Sequence, residues 1–437
     1  MKVMIIAPYI YDNNIIEFTK NKTGFGIMVQ NIVSSISELE DVVLLTRVIT
    51  KERKEKNFRI LSHTWGQFFS NAELKDWLIG IKAFFANGVG VTVKDRVRHV
   101  FYEIDGGCVR KQIQKEKPDV VHIHGIGTIT ESYIRICEEM KVRYAVTLHG
   151  IIGLNDSVSA PAYEKKIERD FLIYAEKNNI PVSVISSGMK TRIEENYLEK
   201  KAANITVITN GTNKIEDNGT RYNPKENALT QEKFQEYYSD CLRKNNSYPK
   251  LSDIYSYLLN CKKNGKKILY FVGNITKNKN QVQAVEIISN TKILENALLV
   301  LWGREVDNGE VRKKILDCQL QKSVILGGFN NQMDAFWKLC DVNLFLSLND
   351  GFGLPIVEGY MHGVPCVTFE DLDATQDLYY PEAMLKVEDR SNESVTDILK
   401  IALDKKWKYK EIIEIGNMFS IDVMSRKYVN WYKKVMA

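Results

Sequence analysis

The sequence predicts two α/β domains, each built on a doubly wound parallel sheet. Short apolar segments that suit buried parallel strands alternate with stretches of helical periodicity along nearly the whole chain. Two such series are separated near residue 212, where Asn210-Gly211 is a turn signal. A chain of 437 residues has room for two substantial cores, and its apolar fraction of 44% is ordinary for a globular protein.

The first series begins with the apolar run at residues 3–7. Pro8 interrupts this run, which suits a first strand and not a signal peptide. Thr23-Gly-Phe-Gly26 then precedes an amphipathic helix predicted from about Met28 to Leu39. Gly24 and Gly26 leave the backbone at that helix start open to an anion. Further strands are predicted at 118–124, 144–149, 182–187 and 205–209.

Three histidines lie at the ends of two of these strands. His122 and His124 share a face because strand side chains alternate, and His149 ends the next predicted strand. No Cys-x-x-Cys or His-x-x-x-His pattern accompanies them, so we predict no metal site. His149 has two interpretations, as a binding residue or as a histidine satisfied within a strand end.

The second series begins at Lys267, with further strands predicted at 297–302, 323–326, 341–347, 364–369 and 383–387. Residues 350–353 form a glycine loop beyond the strand at 341–347, and Pro355 suits the first turn of a short helix that Gly363 ends. The first N–H groups of that helix lack intrahelical partners and suit a diphosphate. Glu358 can accept both hydroxyls of a ribose. The alternative is an acidic loop before a helix whose early glutamate complements the dipole.

The segment Asp350 to Pro365 resembles the E-x7-E motif of the retaining GT-B glycosyltransferases of family 4, usually written E-G-F-G-L-P-x-x-E-A. Glu358 matches the second glutamate, Asp350 stands at the first, and Gly359 stands where alanine is commoner. The order of strands and loops follows that family over nearly the whole chain. The resemblance implies a GT-B fold, with two Rossmann-like domains facing each other across a cleft and a last helix that crosses back to the N-terminal domain.

The resemblance also divides the chain. It implies an N-terminal acceptor domain at 1–212, a donor domain at 213–415 and a crossover helix at 416–437. Two segments exceed a minimal chain of this family, at about 51–107 and 214–266. The first is basic and aromatic, and it either lines the acceptor site, contacts an anionic membrane surface or packs its aromatic side chains inward as ordinary helices.

Residue roles follow from the same resemblance. The expected catalytic residues are Lys279 on the donor diphosphate, Asp350 orienting the sugar and His149 hydrogen-bonding it. Expected at the donor are Glu358 on the ribose and Gly24, Gly26, Gly273, Asn274, Gly351, Phe352, Gly353 and Leu354. Asn274 replaces an arginine of the family, and Lys277 or Arg304 are the alternatives for supplying the missing charge.

The implied function is metal-independent transfer of a hexose or N-acetylhexosamine from a nucleotide sugar, expected to be a UDP-sugar, with retention of configuration and no separate cofactor. The acceptor would be a glycan, a protein or a lipid-linked molecule. The strongest alternative is a GT-B-shaped protein that has lost catalysis and serves as a binding or chaperone subunit of an active partner. A sugar-nucleotide epimerase or a phosphorylase of the same fold is a third possibility.

Composition bears on partners and compartment. The net charge of +5 comes from 60 basic and 55 acidic residues, which gives no strong field for nucleic acid. Seven scattered cysteines without paired spacing indicate reduced thiols and hence a cytoplasmic protein, with the inner face of the membrane as the second location. The enrichment in Lys, Asn and Ile is typical of AT-rich bacterial genomes.

Overall fold

The computed structural model describes residues 1–21, 23–86, 91–155, 160–213, 229–290 and 296–437. The chain divides into a first unit, Met1–Gly211 with Ile421–Ala437, and a second unit, Thr212–Ser420. The strands are β1 (Lys2–Ala7), β2 (Asp41–Thr46), β3 (Arg53–Lys54), β4 (Phe58–Ile60), β5 (Val120–His124), β6 (Tyr144–Leu148), β7 (Val182–Val184), β8 (Ile205–Val207), β9 (Lys267–Val272), β10 (Ala297–Trp302), β11 (Val324–Gly328), β12 (Val342–Phe345), β13 (Cys366–Phe369) and β14 (Met384–Val387).

The helices are α1 (Gly24–Ile36), α2 (Trp65–Asn71), α3 (Leu74–Ala86), α4 (Val93–Glu116), α5 (Thr128–Glu139), α6 (Ala162–Lys177), α7 (Ser187–Ile193) with a π-helical turn at Glu194–Leu198, α8 (Gln231–Leu242), α9 (Leu251–Lys263), α10 (Gln281–Asn290), α11 (Glu310–Asp317), α12 (Met333–Trp337), α13 (Leu354–Met361), α14 (Thr375–Leu378), α15 (Asn392–Asp404), α16 (Tyr409–Asn417) and α17 (Ile421–Met436). Among the described residues, no helix is both long and apolar enough to cross a bilayer.

The sheet of the first unit has the strand order β3-β4-β2-β1-β5-β6-β7-β8 over the described residues, and only the β3–β4 pair is antiparallel. Strand β1 is buried along almost its whole length, as its continuous apolar sequence predicts for a parallel strand covered on both faces. The chain winds from β1 to one side through β2, and β5 then pairs with β1 on the other side. The switch in winding direction therefore lies between β1 and β5.

Two expectations for the first unit are corrected by the structure. Helix α1 covers Gly24–Ile36, earlier than the predicted 28–39, because Thr23 caps it: the Thr23 Oγ1 accepts from the Gly26 N–H at 3.0 Å. Segment 51–107, expected as an insertion, also extends the sheet, since β4 pairs with β2 through Val42 and Phe58. Apolar alternation in so short a strand is too weak a signal to separate it from loop.

The second unit has a parallel sheet whose order over the described residues is β11-β10-β9-β12-β13-β14. Its strands lie at the predicted positions, with ends that differ by at most two residues. The chain winds from β9 through β10 to β11, and β12 then pairs with β9 on the opposite side. The switch point of this sheet lies between β9 and β12, where open α/β sheets bind ligands beyond the carboxyl ends of their strands.

The junctions between the units differ slightly from the expected boundaries. Helix α17 belongs to the first unit, where the Tyr432 hydroxyl lies 2.6 Å from His122 Nδ1. The crossover begins at Ile421, later than the predicted 416. Part of the expected insertion at 214–266, residues 214–228, lies outside the described residues. Its helix α8 belongs to the second unit, since the Tyr238 hydroxyl donates to Val324 O at 3.0 Å and accepts from Leu326 N at 2.8 Å.

Candidate functional site

Two loops meet at the switch point of the second unit. Residues 273–280 follow β9 and residues 346–353 follow β12, so both loops leave the same edge of the sheet. Leu348 N–H donates to the Asn278 carbonyl at 2.7 Å, and Asn278 Nδ2 donates to the Asn349 carbonyl at 2.8 Å. This pairing brings together Lys279 and Asp350, which are 71 residues apart in the chain.

Lys279 and Asp350 form an ion pair between Nζ and Oδ2, and both side chains are largely buried. The other carboxylate oxygen, Oδ1, accepts from the N–H groups of Phe352 at 3.1 Å and Gly353 at 2.7 Å. Burial opposes ionisation of Asp350, but Lys279 and the two N–H groups outweigh it and hold the pKa of this carboxyl below its usual value. Asp350 is therefore an ionised residue that fixes the loop and orients Lys279.

The loop delivers two free amides to the start of α13. Gly353 adopts φ 76° and ψ 53°, a left-handed conformation that turns the chain into the helix, and Pro355 occupies its first turn as predicted. The amides of Phe352 and Gly353 are already used by Asp350. The amides of Gly351 and Leu354 make no hydrogen bond to any residue that the structure describes. Of the four loop residues expected at the donor, these two offer donors for an anion.

Glu358 lies one turn into α13, and its carboxylate is partly buried. Within the described parts of the chain no group donates a hydrogen bond to that carboxylate. Burial, with a smaller contribution from the charge of Asp334, raises the pKa of Glu358 to about 7. A partly buried carboxylate with no protein donor is free to accept hydrogen bonds from a ligand, and a raised pKa in a crevice is typical of functional sites.

The Gly273-Asn274 turn is packed against the end of β10. A Cβ at Gly303 would lie 2.1 Å from the Gly273 carbonyl oxygen, so only glycine fits there. Asn274 Oδ1 accepts from the Arg304 N–H at 3.3 Å, which commits the amide side chain to holding the two loops together. Lys279 runs past Gly273, since a Cβ there would lie 3.7 Å from the Lys279 Cε.

Gly303→Ala is expected to destabilise the second unit by about 2–4 kcal/mol, because the new methyl group would displace the Gly273 turn. Thermal unfolding of the purified chain measures the loss. Gly309→Ala is the matched control, since Gly309 also has positive φ, at 80°, but has no atom within 4 Å of an added Cβ. Equal losses in the two variants would show that backbone strain alone matters and that the contact does not.

The two alternatives for the missing arginine charge differ in placement. The Arg304 guanidinium lies over the Phe329 ring at 5.3 Å, while its backbone adjoins Asn274. Lys277 is exposed and forms no ion pair within the described residues. Neither side chain contacts Lys279 or Asp350, so the choice between them stays open.

In the first unit, His149 follows β6 and lines a cavity of about 270 Å³. The Phe25 ring packs edge-on against His149 at 5.1 Å, and Gly125 lies beside the same ring. Phe25 lies in the first turn of α1, the helix after β1, and Gly125 and His149 directly follow β5 and β6, so the cavity lies at the switch point of the first sheet. Burial lowers the pKa of His149 to about 4, and the imidazole is neutral at physiological pH.

The neighbouring histidines are buried behind His149, and we call the three the histidine chain, in which the His122 and His124 rings pack with 4.1 Å between their centroids. Its Nε2 lies 2.9 Å from His124 Nδ1, and His122 Nε2 lies 2.6 Å from Thr147 Oγ1. Burial, with a smaller effect of His149, lowers the pKa of His122 to about 3. The chain fixes the position of the His149 ring and leaves its Nδ1 without a partner among the described residues.

The glycines at the start of α1 differ in their roles. A Cβ at Gly26 would lie 2.5 Å from the Asn21 carbonyl, and the Gly26 N–H is satisfied by Thr23. Gly24 has open space around it, and its amide at the first helical position has no partner within the described residues. Of the two glycines expected at the donor, Gly24 therefore offers the free amide, and Gly26 serves the close packing of the turn.

Glu168 is a site residue that sequence reasoning missed. It lies on α6, is fully buried, and its carboxylate accepts from the N–H groups of Ile152 and Gly153, both at 2.9 Å, which shapes the loop that lines the His149 cavity. A signal was available, because Glu168 shares one helical face with the buried Phe171, Leu172 and Ala175. A carboxylate on such a face requires buried donors.

A second buried cluster lies apart from the histidine chain. Ligand atoms of His63, Asp105 and Cys108 lie within 4.8 Å of one another. Asp105 already accepts from His63 at 2.8 Å, Arg47 at 3.0 Å and Tyr133 at 2.7 Å. Its carboxylate is saturated by protein donors, so the cluster is a structural network between β2, α4 and α5.

Both units match known protein families. Residues 60–214 match the family described as Glycosyltransferase Family 4, and residues 260–416 match Glycosyl transferases group 1. A stretch of 100 residues is 29% identical to the poly(glycerol-phosphate) alpha-glucosyltransferase of Bacillus subtilis (strain 168), and it covers 23% of this chain and 15% of that protein. The chain thus aligns with a small part of that longer relative.

Several solved structures resemble the whole chain. A glycosyltransferase from Rickettsia africae has a TM-score of 0.64 at 15% identity, covering 100% of this chain and 98% of its own. Sucrose-phosphate synthase from Thermosynechococcus elongatus has a TM-score of 0.65 at 13% identity, covering 100% and 99%. Anabaena Alr3699/HepE in complex with UDP and glucose has a TM-score of 0.59 at 12% identity, covering 98% of each chain. These likenesses confirm the predicted GT-B fold.

Proposed function

We propose that this chain, which carries a family 4 and a group 1 glycosyltransferase domain, transfers a hexose or N-acetylhexosamine from a UDP-sugar to an acceptor with retention of configuration. The observation that carries the proposal is the second unit's switch point. There, Lys279, two free loop amides and the Glu358 carboxylate, which has no donor among the described residues, lie on the loops after β9 and β12 and on the following helix α13. These are the groups that a diphosphate and a ribose require.

The donor would be held by complementary charges and hydrogen bonds. Its diphosphate would accept from Lys279 and from the amides of Gly351 and Leu354, and its ribose hydroxyls would donate to Glu358. Two similarities to known proteins favour UDP and an α-linked product. One similar structure holds UDP with glucose, and the partial relative is named an alpha-glucosyltransferase.

In the proposed reaction, the bond between the anomeric carbon and the diphosphate oxygen breaks, and the acceptor oxygen bonds to that carbon on the same face. The acceptor proton passes to the departing diphosphate. Lys279 stabilises the charge that develops on the leaving oxygens, and Asp350 keeps the ammonium in place. No step in this scheme requires a divalent metal.

His149 is proposed to contact the transferred sugar from its cavity in the first unit. A neutral imidazole with one nitrogen fixed by His124 presents the other as a donor or acceptor to a sugar hydroxyl. The acceptor is proposed to be a glycan, a protein or a lipid-linked molecule. A cytoplasmic setting, with the inner membrane face as the second location, fits the seven cysteines, none of which is paired and six of which are buried.

The test is to incubate the purified chain, in chelator, with UDP-, GDP-, ADP- and dTDP-sugars and to measure free nucleotide. Release from a UDP-sugar that Glu358→Ala abolishes is expected. Release that requires an added metal would contradict metal independence, and release from another nucleotide would contradict the UDP assignment.

The rival proposal is a catalytically inactive subunit of an active glycosyltransferase, which Asn274 and Asp350 favour as departures from the family motif. In that case, Glu358→Ala would leave binding to the partner intact, and no sugar nucleotide in the panel would raise the melting temperature. The Glu358 carboxylate favours the enzyme, because burial raises its pKa and it has no protein donor among the described residues, as expected of a group that binds a ligand.

A further inference from the structure

Helix α3 of the first unit turns its apolar side to solvent. Five side chains recur at the spacing of a single helical face, a pattern that ordinarily packs into a core. Here they are between 37% and 76% exposed: Leu74, Trp77, Leu78, Ile81 and Phe85. Contiguous apolar surface of this kind on a folded chain marks an interaction site.

The opposite side of α3 packs against α4 through a close backbone approach and a buried ion pair. The Gly80 backbone lies so close to α4 that a Cβ would lie 3.1 Å from the Val100 Cγ1. The buried Asp76 carboxylate forms two 2.8 Å hydrogen bonds with the Arg110 guanidinium. Because these contacts hold the helix in one orientation, its apolar side cannot turn inward.

The neighbouring helices extend the same surface. On α4, Val93, Val97 and Phe101 lie one turn apart and are 38% to 69% exposed. From α2, the exposed Phe69 ring stacks on Trp77 with 6.5 Å between centroids. We call the exposed apolar side chains of α2, α3 and α4 the helical apolar surface. Of the three interpretations of segment 51–107, inward packing holds for Phe68, which is buried, and fails for most of the other aromatic residues.

Positive charge accompanies this surface. Residues 74–101 carry five basic side chains against two acidic ones, Asp76 and Asp95. Asp76 is neutralised by Arg110, and Asp95 pairs with Arg98 at 3.3 Å. Lys82 and Lys94 are exposed and form no ion pair with any described residue. Aromatic and aliphatic residues flanked by lysines fit the boundary between acyl chains and anionic headgroups.

We propose that the helical apolar surface docks on an anionic lipid bilayer, with its apolar side chains in the headgroup boundary and Lys82 and Lys94 on lipid phosphates. A second copy of the chain is the rival occupant. Self-docking through the same surface on both copies would bring the lysines close to like charges, whereas anionic headgroups neutralise them. The proposal does not rest on glycosyl transfer.

The test is co-sedimentation of the full chain with vesicles of phosphatidylcholine alone and of phosphatidylcholine mixed with phosphatidylglycerol. The wild-type chain is expected to bind the mixed vesicles, and added salt is expected to weaken that binding. Leu78→Ser/Ile81→Ser and Lys82→Glu/Lys94→Glu are each expected to bind at least about tenfold more weakly. The matched control, Val306→Ser/Ile401→Ser, removes two side chains of the second unit that are 61% and 53% exposed and should bind as wild type does.

Three outcomes would overturn the proposal. The first is a wild-type chain that stays in the supernatant with mixed vesicles, and the second is an L78S/I81S variant that sediments as the control does. The third is a lipid-free dimer that L78S/I81S abolishes, which would assign the surface to a second copy. Because all substituted residues are exposed, circular dichroism and melting temperatures should match the wild type and verify that each variant is folded.

Discussion

Lys279→Ala should lower turnover by about a thousandfold or more, because the variant loses the ammonium group that we propose stabilises the departing diphosphate. The family's arginine is absent at Asn274, which leaves the developing charge with fewer compensating groups. Release of free nucleotide from the preferred donor under saturating conditions measures the effect. Lys313→Ala, which removes an exposed lysine of the same unit, should retain wild-type turnover.

The same substitution also unpairs Asp350, so activity and stability must be separated. We expect Lys279→Ala to lose about 1–3 kcal/mol of unfolding free energy, because the largely buried Asp350 carboxylate keeps its charge with two backbone N–H donors but without its cationic partner. Lys279→Ala/Asp350→Asn should recover most of that stability and remain inactive. Recovery of turnover in the double variant would show that Lys279 serves the fold and not the chemistry.

Glu358→Gln should weaken UDP binding about a hundredfold or more, since it exchanges a charged acceptor of two ribose hydroxyls for a neutral amide. Calorimetric titration with UDP and with inorganic pyrophosphate separates the contribution of the ribose to binding from that of the phosphates. Pyrophosphate affinity should be unchanged in the variant. Equal affinity of both proteins for UDP would remove Glu358 from the ribose site.

The raised pKa of Glu358 also predicts the pH dependence of binding and stability. Its pKa of about 7 in the folded protein exceeds the ordinary value of 4.5, so folding favours the protonated form. The stabilisation that protonated Glu358 contributes is fully present below pH 4.5 and is lost as the pH rises through about 7. At pH 8, the free energy of unfolding of Glu358→Gln should therefore exceed that of the wild type by about 1–3 kcal/mol.

Binding follows the opposite direction, because ribose hydroxyls donate to the ionised carboxylate. The ratio of wild-type to Glu358→Gln affinity for UDP should rise with pH and level off above about 7. Titration of the diphosphate affects both proteins equally and cancels in that ratio. A ratio that does not vary with pH would show that the carboxylate is already ionised in the free protein.

Much of the loop and helix that we propose bind the donor was predictable, because their residues are close in sequence. Gly353, Pro355 and Gly363 each have a local backbone role, and the structure places a short helix where these residues predict one. The strands of the second unit were likewise predictable from continuous apolar runs. The sequence could not show that one oxygen of Asp350 pairs with Lys279 and the other accepts from the loop. The pair with Lys279 joins residues 71 positions apart in the chain.

Other features depend on packing that no local pattern reports. Thr23 capping moved the start of α1 to Gly24, although the apolar periodicity becomes clear only later in the helix. The apolar stripe of α3 predicts a buried face by its spacing, yet the Asp76–Arg110 pair and Gly80 decide which side packs. The helical face of Glu168 indicates burial, but its donors, the N–H groups of Ile152 and Gly153, lie 16 and 15 residues away in the chain and only the fold shows them.

The most direct measurement follows the anomeric proton by NMR while the purified chain consumes UDP-glucose, whose sugar–phosphate bond is α. When no acceptor is present, the glucose is transferred to water. Early time points record the released anomer before mutarotation interconverts the two anomers. A retaining transferase gives α-glucose first, together with stoichiometric UDP, and Glu358→Ala gives neither. β-Glucose as the first product would contradict retention, and unchanged UDP-glucose, with no change of melting temperature on adding UDP, would contradict a UDP-sugar site in the second unit.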